Sequence, residues 1–545
     1  EILTGDIGPE GGTLVVDAAG DPLNGLTIEI PGGAYPDGTT VEVHARPIDG
    51  HEFGPDFNPA SPLIEIDAGG ELAEDFVTVS VPAQIAPDAF GMAFAYEAED
   101  GTVEGLTHLD ADSSGVRFAS RHLSREILIS TVNLDRLDQD IETGFEHGVD
   151  DWQFRNYGSI LSPKGHCAGQ SLAAMYYFIE ALGPPLYGYH DNFDHPFPDT
   201  PRLQWDDEEV WRLVSVVQKT VGWESASRMF WFAFGDVVGD PGVYNAFAYS
   251  MLLTGQPQYV AIYNDAGSHA LIVYGKRGDS LLVSDPNHPV WSKGGGSDRT
   301  IDYDPVTESF DTYYSGPDAE NLGRPYDEVF YFGYRDLIDW QTLGALWTET
   351  ETGVVGDGLF PTYTLRVREG DSDVEEELWN NHESESSEIT VRVEAGFAPY
   401  LFVYDAEANL IADGGGPLEL SLVPGDNELG FMIATPVDGT NEYVGFDWVK
   451  ILYEAASASE ERVYKCTWSN SSGKSGDCTF HVNDNNGGVY LSFGLNGVSG
   501  THENGEFVLP FNDWFSVTGT YSEESVSGSG SNENGSFEFS GTRVE

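Results

Sequence analysis

Apolar and polar residues alternate in short runs over the first 130 positions. GTLVV, LTIEI and TTVEVHA are each closed by Gly, Pro or Asp. Period-two alternation between turn residues predicts half-buried strands, and residues 1–132 read as a β-sandwich module. From Trp152 the period changes. After Cys167, the residues Leu172, Met175, Tyr176, Ile179 and Leu182 fall on one helical face. A second helix is predicted from Asp206 to Thr220, with acidic residues in its first turn. A third starts near DPGVYNAFAYSMLL, with Pro241 early in the helix and Gly255 as its stop. The runs QYVAIYN, HALIVYG, SLLVSDP and DEVFYFGY then predict strands. Helices followed by strands make 152–350 an α+β domain.

Between these two parts, residues 133–151 are polar and acidic and read as a linker. VVGDGLFP marks another break, after which 358–455 carries strand-like runs such as YTLRVRE, SEITVRVEA and FDWVKILYE, a second β-sandwich. The acidic stretch REGDSDVEEELWNNHESESSE inside it reads as a solvated loop. Residues 462–545 alternate short strands with NDNNGG, LNGVSG and HENGE, which are hairpin turns; a small antiparallel sheet or barrel fits. The expected fold class is thus multidomain: a β-sandwich, an α+β domain and two C-terminal all-β domains.

Charge narrows the partners. Twenty-five Lys and Arg stand against 91 Asp and Glu, a net charge of −66 over 545 residues. Such a surface repels nucleic acid and anionic membranes, and it suits a salt-rich medium or a basic partner. No apolar run reaches the roughly 18–20 residues of a membrane helix. A start at Glu1 reads as a processed chain, its leader or anchor removed. We therefore expect a secreted or cell-surface monomer whose β modules meet extracellular partners.

Three cysteines remain to be placed. Cys466 and Cys478 flank a Ser/Gly loop between two strand-like pieces, a natural site for a short-range disulfide. Cys167 is then left single. It follows Ser162 and Gly165 and opens an amphipathic helix, where unpaired N–H groups and the helix dipole favour an anion. A cysteine nucleophile also needs a base and a group to orient that base. His190 and His195 lie in a Pro/Asp/Asn-rich loop, and His166 reads as a loop residue. His269 opens the apolar run HALIVYG, and Asp285 and Asn287 end the next one. If these two strands pair as a hairpin through GKRGD, the start of the first lies beside the end of the second. Either Asp285 or Asn287 then sits where it can fix the His269 tautomer.

Two stretches resemble known families. GPEGGTLVV through IPGGA (Ile30 to Ala34), closed by ASRHLSREILIS, resembles the β-sandwich module of ankyrins and netrin receptors, which mostly binds or spaces. Some of its members cut themselves beside the serine of the closing motif. Here Leu123 stands where that family has Phe, and His122 and Ser124 read as a strand end. Cys at a helix start, His heading a strand about 100 residues on, and DP 16 residues later resemble papain-superfamily cysteine peptidases, particularly the bacterial leader-peptidase branch. The resemblance implies Cys167 as nucleophile, His269 as base and Asp285 as orienter, with Asn287 the alternate. It also implies an oxyanion-hole Gln about six residues before the Cys, and that position is Leu161. Gln153, Asn156, Ser162 and Gln170 are the replacements at hand, Asn156 preferred because its segment leads into the cysteine loop; the Cys167 N–H is the second donor.

The expected function is a cysteine peptidase acting on a protein or peptide through an acyl-enzyme, without cofactor or metal. A transglutaminase-like acyltransferase and a non-enzymatic adhesion protein with a degenerate peptidase-like domain are the alternatives. DADSSG (Asp110 to Gly115) echoes a calcium loop, but Arg121 occupies its twelfth position, so it reads as a turn. Trp205, Trp211, Trp223 and Trp231 read as core residues, with a cleft lining as the alternative.

Overall fold

A computed structural model describes all residues except 71, 98–100, 184–185, 187–207, 236, 266, 291–295, 297, 319, 407–408, 438, 454–460, 484–487, 494–495, 504, 513–514, 523, 533–534 and 545. The chain is multidomain and rich in β-structure. It forms two compact units: Glu1–Leu365 with Arg392–Leu418 and Glu428–Val449, and Arg366–Val391 with Glu419–Asn427 and Lys450–Glu545. The segment expected as one module at 358–455 is therefore divided between them.

In the first unit, the N-terminal part holds a seven-stranded and a five-stranded sheet. Their inward-facing residues, among them Ile28, Val41, Ile64, Val79 and Phe118, form one apolar core. DADSSG is a hairpin turn between strands Thr107–Asp112 and Gly115–Ser120. Ser124 lies between strands, its hydroxyl bonded to Asp67 and to the N–H of Gly70.

The expected linker is instead built into the fold. Asn133 caps a single helical turn, Leu134–Leu137. Ile141–Glu142 then pairs with Lys276 and Gly275. Asp151 collects the Gly148 N–H at 2.6 Å, the His147 ring at 2.6 Å and the Ser284 hydroxyl. Polarity alone suggested a solvated spacer, but these side chains are spent on fixed backbone and hydroxyl partners.

Helices α1 (Cys167–Ile179), α2 (Glu208–Val221), α3 (Trp223–Phe234), α4 (Asp240–Thr254) and α5 (Trp340–Glu351) accompany an antiparallel sheet. Pro241 lies in the first turn of α4, and Gly255 ends it in the left-handed conformation. The α1 helix stops short of Leu182, which is exposed. Gly169 brings α1 against α2: a Cβ there would stand 1.9 Å from the Val214 carbonyl oxygen. Strands β1 (Gln258–Asn264), β2 (Gly267–Arg277), β3 (Ser280–Ser284), β4 (Arg299–Asp304) and β5 (Glu328–Phe332) lie in the order β4-β3-β2-β1-β5. β2 and β3 form the expected hairpin, Arg277 opposite Ser280 and Ile272 opposite Ser284. Of the tryptophans, Trp211 is core, and Trp231 is half-buried and donates to Glu328 at 2.6 Å. Trp223 opens α3, and Trp205, His190 and His195 lie outside the described residues.

A buried ionic cluster joins the N-terminal sheets to this part. Arg125 donates to Glu104 at 2.7 Å and to Glu97 at 3.1 Å, and the Arg335 N–H donates to Glu104 at 3.0 Å. Asp336 accepts from Ser120 at 2.6 Å and from Thr107 at 2.9 Å. Pairing offsets part of the cost of burying these charges.

In the second unit, eight strands between Glu461 and Arg543 close into an antiparallel barrel. Tyr464, Phe480, Leu491, Phe507 and Phe539 fill its core, and Cys466 is disulfide-bonded to Cys478 across adjacent strands. No described helix is long and apolar enough to cross a membrane.

Candidate active site

Cys167 is the first residue of α1, and His166 stands at the N-cap. The turn before it is tight. Ser162 donates its N–H to Ser159, and Gly165 donates its own to Ser162. Gly165 has φ +115°, and a Cβ there would lie 2.6 Å from the Asn156 side-chain oxygen. A glycine is needed both for that conformation and for that space. Farther along α1, the Gly169 N–H donates to the Gln218 side chain at 2.9 Å, so α2 satisfies one of the first-turn donors.

The hairpin delivers the base. His269 Nε2 lies 2.7 Å from Asp285 Oδ1, and Cys167 stands close enough to the same ring to favour its charged form. With Nε2 taken by the carboxylate, Nδ1 is the nitrogen left for the sulfur. The structure thus brings together Cys167, His269 and Asp285 from a helix start, a strand start and a strand end. Asn287 joins them, its Nδ2 3.0 Å from His269 Nε2.

Asp285 is completely enclosed, yet it has many partners. Besides His269, its Oδ1 accepts the Asn287 N–H at 2.8 Å, and its Oδ2 accepts the Tyr313 hydroxyl at 2.5 Å. Arg299 donates to the Tyr313 hydroxyl at 2.8 Å and lies 3.8 Å from Asp285. Burial opposes ionisation, but His269, His288 and Tyr313 outweigh it and hold the carboxyl well below the usual range. Burial likewise opposes a charged His269 ring. The Asp285 charge, its hydrogen bond and Cys167 reverse this and hold the ring well above the ordinary imidazole range. The pair is arranged to keep an imidazolium beside the sulfur.

The oxyanion side differs from expectation. Leu161 is half-buried in the Ser159–Ser162 turn and packs on the main core. Each proposed replacement already has a protein partner. Gln153 donates to Asp151 at 2.7 Å, Gln170 to the Phe154 carbonyl at 3.1 Å, and Ser162 pairs with Ser159 at 3.1 Å. Asn156 donates to Asn287 at 3.2 Å. His166, in the loop that leads into α1 as expected, is fully buried against Phe154, and burial pushes its ring down to about 3.

Tyr313, Arg299 and Tyr326 escaped the sequence reading. Tyr313–Tyr314 and Pro325–Tyr326 form a two-stranded ribbon, and the Tyr326 ring lies 6.1 Å from that of His269. The run ESFDTYYSGPD mixes turn residues with aromatic ones, with no periodicity to place it. Cys167 is 6% exposed and His269 3%.

No protein-family model matches the chain, and no curated protein does. Among solved structures, the isotype 1 transferrin binding protein B of serogroup B Neisseria meningitidis is similar at 12% identity, with a TM-score of 0.14. That match covers 52% of this chain and 60% of the other.

Proposed function

We propose that the chain is a papain-like cysteine peptidase, secreted or displayed at a cell surface, whose β modules bind partners or substrate. The observation behind this reading is the continuous chain of contacts from Cys167 to His269 to Asp285. His269 takes the thiol proton, and the sulfur attacks a peptide carbonyl carbon. The tetrahedral oxyanion meets the N–H groups at the start of α1. As it collapses, the imidazolium protonates the leaving amine and a thioester remains. Water, deprotonated by His269, releases the acid and restores the thiol. Asp285 keeps the ring oriented and stabilises its charged form.

The depth of Cys167 and His269 favours a second reading, a peptidase-like domain that no longer turns over. Iodoacetamide and a peptidyl epoxide separate the two. Alkylation of Cys167 much faster in the native than in the denatured chain, together with peptide hydrolysis lost in Cys167→Ala, supports the peptidase. Equal alkylation rates and no cleavage of any peptide library support the inactive domain. Incorporation of an amine in place of water would assign acyl transfer instead.

A further inference from the structure

Asn156 sits between the loop that leads into Cys167 and the loop that follows Asp285. Its N–H donates to the Pro286 carbonyl at 3.2 Å, its side-chain oxygen accepts the His166 N–H, and its Nδ2 donates to Asn287 Oδ1 at 3.2 Å. The space that Gly165 leaves open is the space its carboxamide fills.

The direction of these bonds follows from one fact. A backbone N–H only donates, so His166 fixes the Asn156 oxygen toward itself. The Asn156 amino group must then face Asn287, and Asn287 must answer with its oxygen. What Asn287 turns toward His269 is therefore its own amino group, 3.0 Å from Nε2. A donor there does nothing to hold a hydrogen on Nε2. That hydrogen has one acceptor, Asp285 at 2.7 Å.

We propose that Asn156 is a positioning residue that turns the Asn287 carboxamide so that its N–H faces His269, leaving Asp285 as the acceptor that orients the ring. The inference rests on the peptidase reading for its relevance to catalysis, though not for its geometry. It replaces the oxyanion role that sequence position suggested for Asn156. Without Asn156, the Asn287 amide is free to turn over and offer its oxygen to the ring, and a second acceptor favours the imidazolium.

The test is an NMR titration of the His269 ring in the full chain. Cys167, Asp285, Tyr313, Arg299, His288 and Tyr326, the groups around the ring, stay constant throughout. Asn156→Ala is expected to raise the ring's midpoint by about half a pH unit or more. Asn287→Ala, which removes the opposing N–H outright, is expected to raise it too. The double variant should move it no further than the larger single change, because both act through one amide. Asn156→Ser serves if the alanine variant melts early, and thermal midpoints accompany each titration. An unchanged midpoint in folded Asn156→Ala, with kcat reduced, would overturn the proposal and return Asn156 to the oxyanion hole. A midpoint that moves in a wild-type background lacking any hydrolysis would instead sink the peptidase reading and leave this one standing.

Discussion

The Tyr313 hydroxyl donates to Asp285 on the carboxylate oxygen opposite the one that holds His269. One carboxylate is thus shared between the His269 ring and a neutral phenol. Tyr313→Phe removes a donor from a buried charge, a change that costs about 1–3 kcal/mol. The Asp285 carboxyl should move up and the His269 ring down. We expect peptide hydrolysis to fall roughly tenfold and the alkaline limb of the Cys167 alkylation profile to shift to lower pH. An unmoved limb would deny Tyr313 any part in the site.

Gly169 is where α1 and α2 meet most closely. Gly169→Ala places a methyl 1.9 Å from the Val214 carbonyl oxygen and 3.1 Å from the Gln218 nitrogen, both backbone atoms with no soft escape. Overpacking of this kind costs about 1–3 kcal/mol or more. Urea unfolding should show a lower midpoint, with Cys167 reactivity falling alongside, since the Gln218 cap is on the same face.

His108 is buried beside Gly242 and the Phe90 ring, with neither ring nitrogen bonded. Burial pushes it down to about 4 from 6.5. A histidine depressed in the folded state stabilises the fold fully above its unfolded value. That contribution is lost as pH falls from 6.5 toward 4, about 3 kcal/mol in all. Asp336, raised to about 6 by burial first and by Glu104, runs the other way, losing stability as pH rises from 3.8 to 6. The two windows overlap, so the clean measurement is a difference. His108→Phe should lose less stability than wild type between pH 6.5 and 4, as read by urea midpoints at each pH.

The net charge of −66 predicts salt dependence. Carboxylates repel over a screening length of about 10 Å at 0.1 M salt and about 3 Å at 1 M. Folding compacts that charge, so the thermal midpoint should climb by several degrees between those concentrations. A midpoint that is flat or falls in sodium chloride would show the repulsion to be equally strong in the unfolded chain.

How much of this was legible in sequence depends on the range of the interaction. The helix after Cys167, the α4 helix between Pro241 and Gly255, and the β2–β3 hairpin each rest on local patterns, and all three appear. That hairpin set Asp285 and Asn287 beside His269, and the resemblance added Cys167 to them. Tyr313 and Arg299 reach Asp285 from the two-stranded ribbon and the start of β4, and no periodicity marks them. Residues 133–151 misled because a polar segment satisfied by Ser284 and the β2 backbone reads like one satisfied by water. Asn156 was found for its position, but its direction depended on a backbone N–H ten residues away.

The seam around Asp336 bears on inheritance. β-Modules are readily exchanged between genes when the joint is an exposed tether. Here Ser120, Thr107 and the Arg121 N–H come from one side and Asp336 from the other, while Gly105 leaves room for the Tyr331 hydroxyl. A foreign sandwich would strand a buried carboxylate and crowd a tyrosine at once. The N-terminal module and the Cys167 region are therefore expected to descend as a single heritable block, recombining together or not at all.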